Sequence, residues 1–139
     1  MAHLKLIVPV DVVIATELAA GAPSKVVPID RIPADMMGVD IGPETVELFK
    51  EAIRSAGTII WNGPVGVFEI EALARGTNEI AKALASSKAV TIIGGGDSAS
   101  AASQAGVADQ ITHISTGGGA SIEYLEGKEL PGIAILQDQ

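Results

Sequence analysis

The sequence predicts an α/β protein: an incomplete doubly wound (Rossmann-like) parallel sheet, about four strands with flanking helices. Two observations carry that prediction. First, three units of one kind follow one another in the second half of the chain. "TIIWNG" leads into "EALARGTNEIAKALASS", "AVTIIGGG" into "DSASAASQAG", and "ITHISTGGG" into "ASIEYLEG". Each is a short apolar run, a glycine-bearing turn and a helix-like stretch, and strands alternating with helices imply right-handed crossovers and parallel pairing. Second, the opening run "LKLIVPVDVVIA" (residues 4–15) is nearly continuous in aliphatic residues. That is the pattern of a strand buried on both faces, although Pro9 argues for an irregular or edge position.

The remaining elements follow in order. Gly21, Pro23, Pro28 and Pro33 mark an excursion between residues 16 and 40, with a short strand at "KVVPID". "GPETVELFKEAIRSAG" reads as a helix, with Pro43 in its first turn, Glu44 and Glu47 at its positive end and Gly57 at its stop. Val46, Phe49 and Ile53 form its inward stripe. The order of units places every glycine turn at the carboxyl end of a parallel strand, the edge where open α/β sheets bind ligands. Helix N-termini there offer free N–H groups to an anion, so the turns read as a phosphate cradle.

Composition narrows the classes. The 139 residues suit one domain with a single core, and 47% are hydrophobic, but only Phe49, Trp61, Phe68 and Tyr124 are aromatic. Nine basic residues against seventeen acidic ones give a net charge of −8. Without a basic cluster, nucleic acid is disfavoured as a partner. Every apolar run is broken by Pro, Gly or a charge, so no membrane span is expected. The opening "MAHLKLIVPV" lacks the features of a signal peptide, and there is no cysteine; both fit a cytoplasmic protein.

Individual motifs leave alternatives open. "GGGDSAS" is a tight strand-to-helix turn with Asp97 as N-cap, or a phosphate site in which Asp97 faces a Mg²⁺ ion, which prefers oxygen ligands. In "WNGPVGVFE", Asn62, Gly63 and Pro64 make a sharp turn. Val67 and Glu69 then meet a base and a ribose, or Trp61 and Phe68 fill the core and Glu69 points to water. His113 lies in a strand with no Ser or Cys nucleophile beside it. Glu44 with Glu47, and Asp35 with Asp40, read as helix-end and loop charges.

Taken together, "LIVPVDVVIA", "MGVDIGPETVELF", "WNGPVGVFE", "TIIGGGDSASA" and "HISTGGGASIEYLEGKELPGI" resemble the C-terminal, nucleotide-binding domain of phosphoglycerate kinases, in order and spacing, over nearly the whole chain. The resemblance implies that residues 1–139 are part of that domain, without the substrate domain that binds 3-phosphoglycerate. It implies ATP or ADP with Mg²⁺ as the ligand, and phosphoryl transfer between 1,3-bisphosphoglycerate and ADP, in glycolysis. By the same resemblance Gly95 and Gly96 face the transferred phosphoryl group, and Gly94 belongs to their turn. Asp97 serves the magnesium and the helix cap, and Ser98 contacts a phosphate. Gly38 and Val39 floor the adenine pocket with Val67, Asn62 and Gly63 flank the phosphates, and Glu69 binds ribose. Gly117, Gly118 and Gly119 meet the other domain's substrate, with His113, Ser115 and Thr116 in the hinge. Met36 and Val39 depart from the family's commoner residues there. No Lys or Arg lies between Ile92 and Ser103, so the isolated chain is expected to lack turnover. A sheet of order 3-2-1-4-5-6 with its first two strands missing leaves "TIIWN" with an open edge, and a homodimer through that edge or by exchange of the first strand is expected. The alternative from another class is a folded, non-catalytic module.

Overall fold

The computed structural model describes residues 6–115. Its elements are β1 (Asp11–Ala15), β2 (Ser24–Pro28), β3 (Met37–Ile41), α1 (Pro43–Ser55), β4 (Thr58–Trp61), α2 (Arg75–Ser86), β5 (Val90–Gly94), α3 (Gly96–Gln104) and β6 (His113–Ser115). Short 3₁₀ turns at Glu71–Leu73 and Ala108–Gln110 complete the order. Helix α1 begins at Pro43 and ends beside Gly57, as its sequence signals predict. The third unit's helix, "ASIEYLEG", lies outside the described residues.

Two three-stranded sheets form among the described residues. The second is the parallel one: β4, β5 and β6 lie side by side in that order, each pair parallel. The repeated units thus build the α/β sheet expected of them. The first sheet is antiparallel, with β1 between β2 and β3 and a bulge at Val13 and Ile14.

The opening strand therefore corrects one expectation. Among its described residues it does not join the parallel sheet, and its strand runs over Asp11–Ala15. Leu6, Val8 and Val10 are exposed. The physical reason lies in the connections. A parallel crossover needs about a dozen residues or more, whereas shorter links return the chain antiparallel. The link 16–23 is too short for such a crossover, so β2 folds back antiparallel on one edge of β1, and β3 then pairs antiparallel with the other edge.

The main core lies on one face of the parallel sheet. Trp61 and Ile93 from the sheet meet Val46 of α1, Ile80 and Leu84 of α2, and Ala101 and Ala102 of α3. Phe49 and Ile53 pack against this cluster from α1, completing the predicted stripe. Across the helical layer Lys50 donates to Glu79 at 2.6 Å, and that contact holds the Glu79 carboxyl below its ordinary value. On the opposite face Ile60 and Val90 are exposed. Among the described residues β4 pairs only with β5. Beside its free edge runs an apolar groove of about 280 Å³, lined by Phe49, Ile53, Ile59, Ile60, Trp61 and Val65 among others.

What joins the antiparallel sheet to the helices is Asp11. The N-cap of α1 is Gly42, which has no side chain with which to cap. The first amides of a helix lack intrahelical partners, and Asp11 supplies them from β1. Glu44 N donates to its Oδ2 at 3.0 Å and Thr45 N to its Oδ1 at 2.8 Å. The Thr45 hydroxyl donates to the same carboxylate and accepts from the amides of Val10 and Asp11, both at 3.1 Å. Both side chains are buried. A Cβ at Gly42 would run into this carboxylate. Burial alone would raise the Asp11 carboxyl, but the hydrogen bonds from Thr45 and Glu44 outweigh it and hold the group below its ordinary value.

Asp11→Ala leaves buried donors without acceptors and is expected to cost about 2–4 kcal/mol in urea unfolding. A folded-state carboxyl held low contributes stability above its unfolded value and loses it as pH falls through its folded value. The gap between wild type and Asp11→Ala is therefore expected to shrink below about pH 4. A gap that stays constant into acid would contradict the assignment.

Candidate functional site

The carboxyl edge of the parallel sheet gathers the glycine turns. After β4, Trp61 Nε1 donates to Gly63 O at 2.6 Å, which folds the Asn62–Gly63 turn back onto the buried indole. Gly63 N in turn donates to Ser98 Oγ, also at 2.6 Å. After β5, Gly95 N donates to the carbonyl of Ser115 on β6 at 2.7 Å. The three strand ends are thus tied to one another through side-chain and backbone bonds.

Gly95 has φ 107° and ψ 149°, a conformation that side-chain-bearing residues rarely adopt, and it is the N-cap of α3. This corrects the cap expected of Asp97. No side chain caps α3, and Asp97 sits in the first turn with its carboxylate exposed. The glycine reaches the cap position first because only it tolerates the backbone angle required there. Asp97 is left beside the positive end of the helix dipole, a favourable place for an acid. Ser98, expected at a phosphate, is buried and its hydroxyl accepts from Gly63.

A second wall forms where residues 62–70 cross β3. Val67 N donates to Val39 O at 2.9 Å, and Val39 and Val67 join one apolar cluster with Ala15 and Leu73. Gly38 lies exposed beside buried Val39. Glu69 is exposed and Phe68 next to it is buried, as is Trp61. The structure thus brings Gly38, Val39 and Val67 together, and Asn62 and Gly63 close to Gly94, Gly95, Gly96 and Ser98. His113 is exposed and Ser115 half-buried on β6. Thr116, Gly117, Gly118 and Gly119 lie outside the described residues.

Beneath the wall sits Asp40, which its sequence context marks as a loop charge. Asp40 is on β3 and buried. Its Oδ1 accepts from Ile41 N at 2.9 Å and its Oδ2 from Gly76 N at 2.7 Å. Gly76 is in the first turn of α2, whose N-cap Ala74 offers no side-chain bond. That tertiary cap explains why "EALARGTNEIAKALASS" is not one helix. A 3₁₀ turn ends at Leu73, and the α-helix starts at Arg75, where Asp40 can receive it. A Cβ at Gly66 or at Gly76 would collide with the Asp40 carboxylate. Burial pushes this carboxyl up to about 6, against the bonds from Gly76 and Ile41 and the Arg75 charge, which pull it down. The only sequence signal for it is the glycine at both facing positions.

Three of the cations stand apart from both walls. Lys50, Arg54 and Lys82 line a groove of about 380 Å³ with α1 and α2 as its walls. Among the described residues no group of three or more His, Asp or Glu is placed to hold a metal ion. No described helix is long and apolar enough to cross a membrane.

A parallel sheet with helices packed on it, and glycine turns gathered at its carboxyl edge, places the chain among Rossmann-like α/β proteins. The comparisons make this specific. The phosphoglycerate kinase family model matches residues 1–128. The chain is 59% identical over 137 residues to the phosphoglycerate kinase of Pelotomaculum thermopropionicum and 57% identical over 139 residues to that of Chlorobaculum tepidum. These matches take in 99% and 98% of the chain, respectively, and 35% of each relative. The solved phosphoglycerate kinase of Coxiella burnetii superposes with a TM-score of 0.86 at 46% identity, over 94% of this chain and 34% of that one. The chain belongs to the phosphoglycerate kinase family and spans about a third of the length of the relatives it matches.

Proposed function

We propose that this chain carries the nucleotide side of a phosphoglycerate kinase site, and that the parent reaction moves a phosphoryl group between 1,3-bisphosphoglycerate and ADP to give ATP and 3-phosphoglycerate. The observation that carries the reading is the pair of tied turns, Asn62–Gly63 and Gly95–Ser98, at the N-terminus of α3. Oriented N–H groups at a helix start favour phosphate oxygens. In this reading Gly95 and Gly96 face the transferred group and Gly94 sets their height at the strand end. Ser98 acts from below by fixing Gly63. Gly38, Val39 and Val67 take the adenine, and exposed Glu69 takes ribose hydroxyls. Transfer is direct, so no side chain serves as a nucleophile.

Mg²⁺ keeps one or two carboxylates and fills its remaining positions with phosphate oxygens and water. A single exposed carboxylate at the start of α3 fits that donor set, so Asp97 is the residue assigned to hold it. The ion supplies charge neutralisation over the phosphates. What this chain's own residues supply is orientation and amide dipoles. Phosphoryl transfer also needs cations over the developing charge, and residues 92–103 contain none. Those cations, the acceptor's site and Gly117–Gly119 at closure belong in this reading to the complete enzyme, in the cytoplasm. The isolated chain then acts as a folded module that does not turn over.

A coupled assay for ATP formation is expected to show no turnover above background. Activity that copurifies with the chain and vanishes in Asp97→Ala would contradict this. In calorimetry, MgADP is expected to bind in the high-micromolar range or weaker. Each charge-assisted phosphate contact absent from the turns costs about 1.5–3 kcal/mol, so the lack of two weakens binding by about two orders of magnitude or more. No binding by any adenine nucleotide would overturn the nucleotide reading itself.

We propose further that the edge of β4 that is unpaired among the described residues, with its apolar groove, pairs with a second copy of the chain, because an unpaired apolar strand edge is a template for association. Light scattering over a concentration series is expected to show a dimer. A strict monomer at high micromolar concentration would rule it out, and retained dimerisation after removal of residues 1–15 would exclude exchange of the first strand.

A further inference from the structure

A cavity of about 230 Å³ lies between the two sheets' supporting elements, and Asp40 forms part of its wall. Val13, Val26 and Ile41 contribute apolar surface, and Pro43 and Val46 of α1 close another side. The charged groups facing it are Lys25 from β2 and Arg75 from the start of α2. Asp11, on β1, is committed to the α1 N-terminus. Glu69 and Glu71, before α2, are exposed. The Asp40 carboxylate is therefore a buried charge enclosed by a strand, a loop and a helix start, with one nearby cation that acts on it.

Its position couples two things. One oxygen receives Gly76, which starts α2. The other receives Ile41, and the whole group is packed under Gly66 closely enough to exclude a methyl there. Gly66 is followed by Val67, whose amide is bonded to Val39. A carboxylate can accept at both oxygens, but a protonated carboxyl turns one oxygen into a donor. The hydroxyl oxygen that results is a weaker acceptor than a carboxylate oxygen and its proton needs an acceptor of its own, so one of the two amide bonds weakens and the group shifts within a space that Gly66 and Gly76 leave no room to enlarge.

We infer that Asp40 is the positioning residue of the adenine wall: its ionised carboxylate holds Gly66–Val67 and the start of α2 against β3, and its protonation loosens the grip on an adenine nucleoside. The inference rests on the assignment of Val39 and Val67 to adenine. Burial, which raises the carboxyl to about 6, brings this event to mildly acidic pH. The sign separates it from plain unfolding. A raised carboxyl binds its proton more tightly in the folded state, so its contribution to folding becomes more favourable as pH falls from about 6 to about 4. Affinity falls over the same range, so stability and binding move in opposite directions.

The test uses the 139-residue chain and adenosine, which is neutral between about pH 5 and pH 7.5, followed by NMR. If only the ionised form is competent, the adenosine dissociation constant rises about tenfold from about pH 7.5 to about pH 5. The amides of Gly66, Val67 and Gly76 shift with a shared midpoint near 6, and Asp40→Asn abolishes both effects. Flat adenosine affinity, or Gly66 and Val67 amides that do not titrate, or a titration that survives in Asp40→Asn, overturns the inference. Adenosine that fails to bind at every pH overturns the nucleotide reading instead, and the amide titration then decides whether Asp40 controls the wall. Should Asp40→Asn not fold, the wild-type Asp40 carboxyl carbon decides: its midpoint must coincide with that of Val67.

Discussion

A helix whose first amides are buried must find its acceptors elsewhere in the chain, and in this protein two aspartates on the antiparallel sheet meet that requirement. Asp11 on β1 receives α1, and Asp40 on β3 receives Gly76 at the start of α2. Neither helix has a capping side chain of its own. An unpaired buried donor costs about 1–3 kcal/mol, so the two helices and the small sheet are fixed together. The same helices cover the parallel sheet through Val46, Ile80 and Leu84. The relation between the two sheets, and with it the placing of the Val39–Val67 wall against the glycine turns, depends on these two carboxylates.

The two differ in how they sit. Asp11 gathers several donors, and the bonds outweigh its burial. Asp40 has only two amides and a cation, and burial wins. One is thus a permanent fixture at any pH above the ordinary carboxylate range, and the other lies within reach of protonation. That asymmetry places adjustable chemistry next to the proposed ligand wall and rigid chemistry at the far helix. The turns themselves are held differently again, by Ser98 and Trp61 binding Gly63 and by Ser115 binding Gly95.

Much of this was legible in the sequence. The strand–turn–helix units gave β4, α2, β5, α3 and β6, because each carries its own period and its own glycine stop. Proline and glycine gave the bounds of α1. The motifs "WNGPVGVFE" and "TIIGGGDSASA" pointed to the family. What was not legible was long-range. Asp40 and Gly76 are 36 residues apart, and a search for caps looks only at the residue just before a helix. Asp40 therefore passed for a loop charge, and Asp97 for a cap that the backbone of Gly95 takes instead. The opening run was read as a strand of the parallel sheet because periodicity reports burial, not partner. Only the short link 16–23 reveals that Asp11–Ala15 must pair antiparallel with the strand that follows it.

Native-state hydrogen exchange tests the central claim most directly. The first amides of an ordinary helix exchange readily, since they have no intrahelical acceptor. If Asp11 and Asp40 tie the helices to the sheet, the amides of Thr45 and Gly76 exchange only through global opening, as slowly as the core amides of β5. Exchange of either amide at the rate of a frayed helix end, with β5 still protected, would contradict the account.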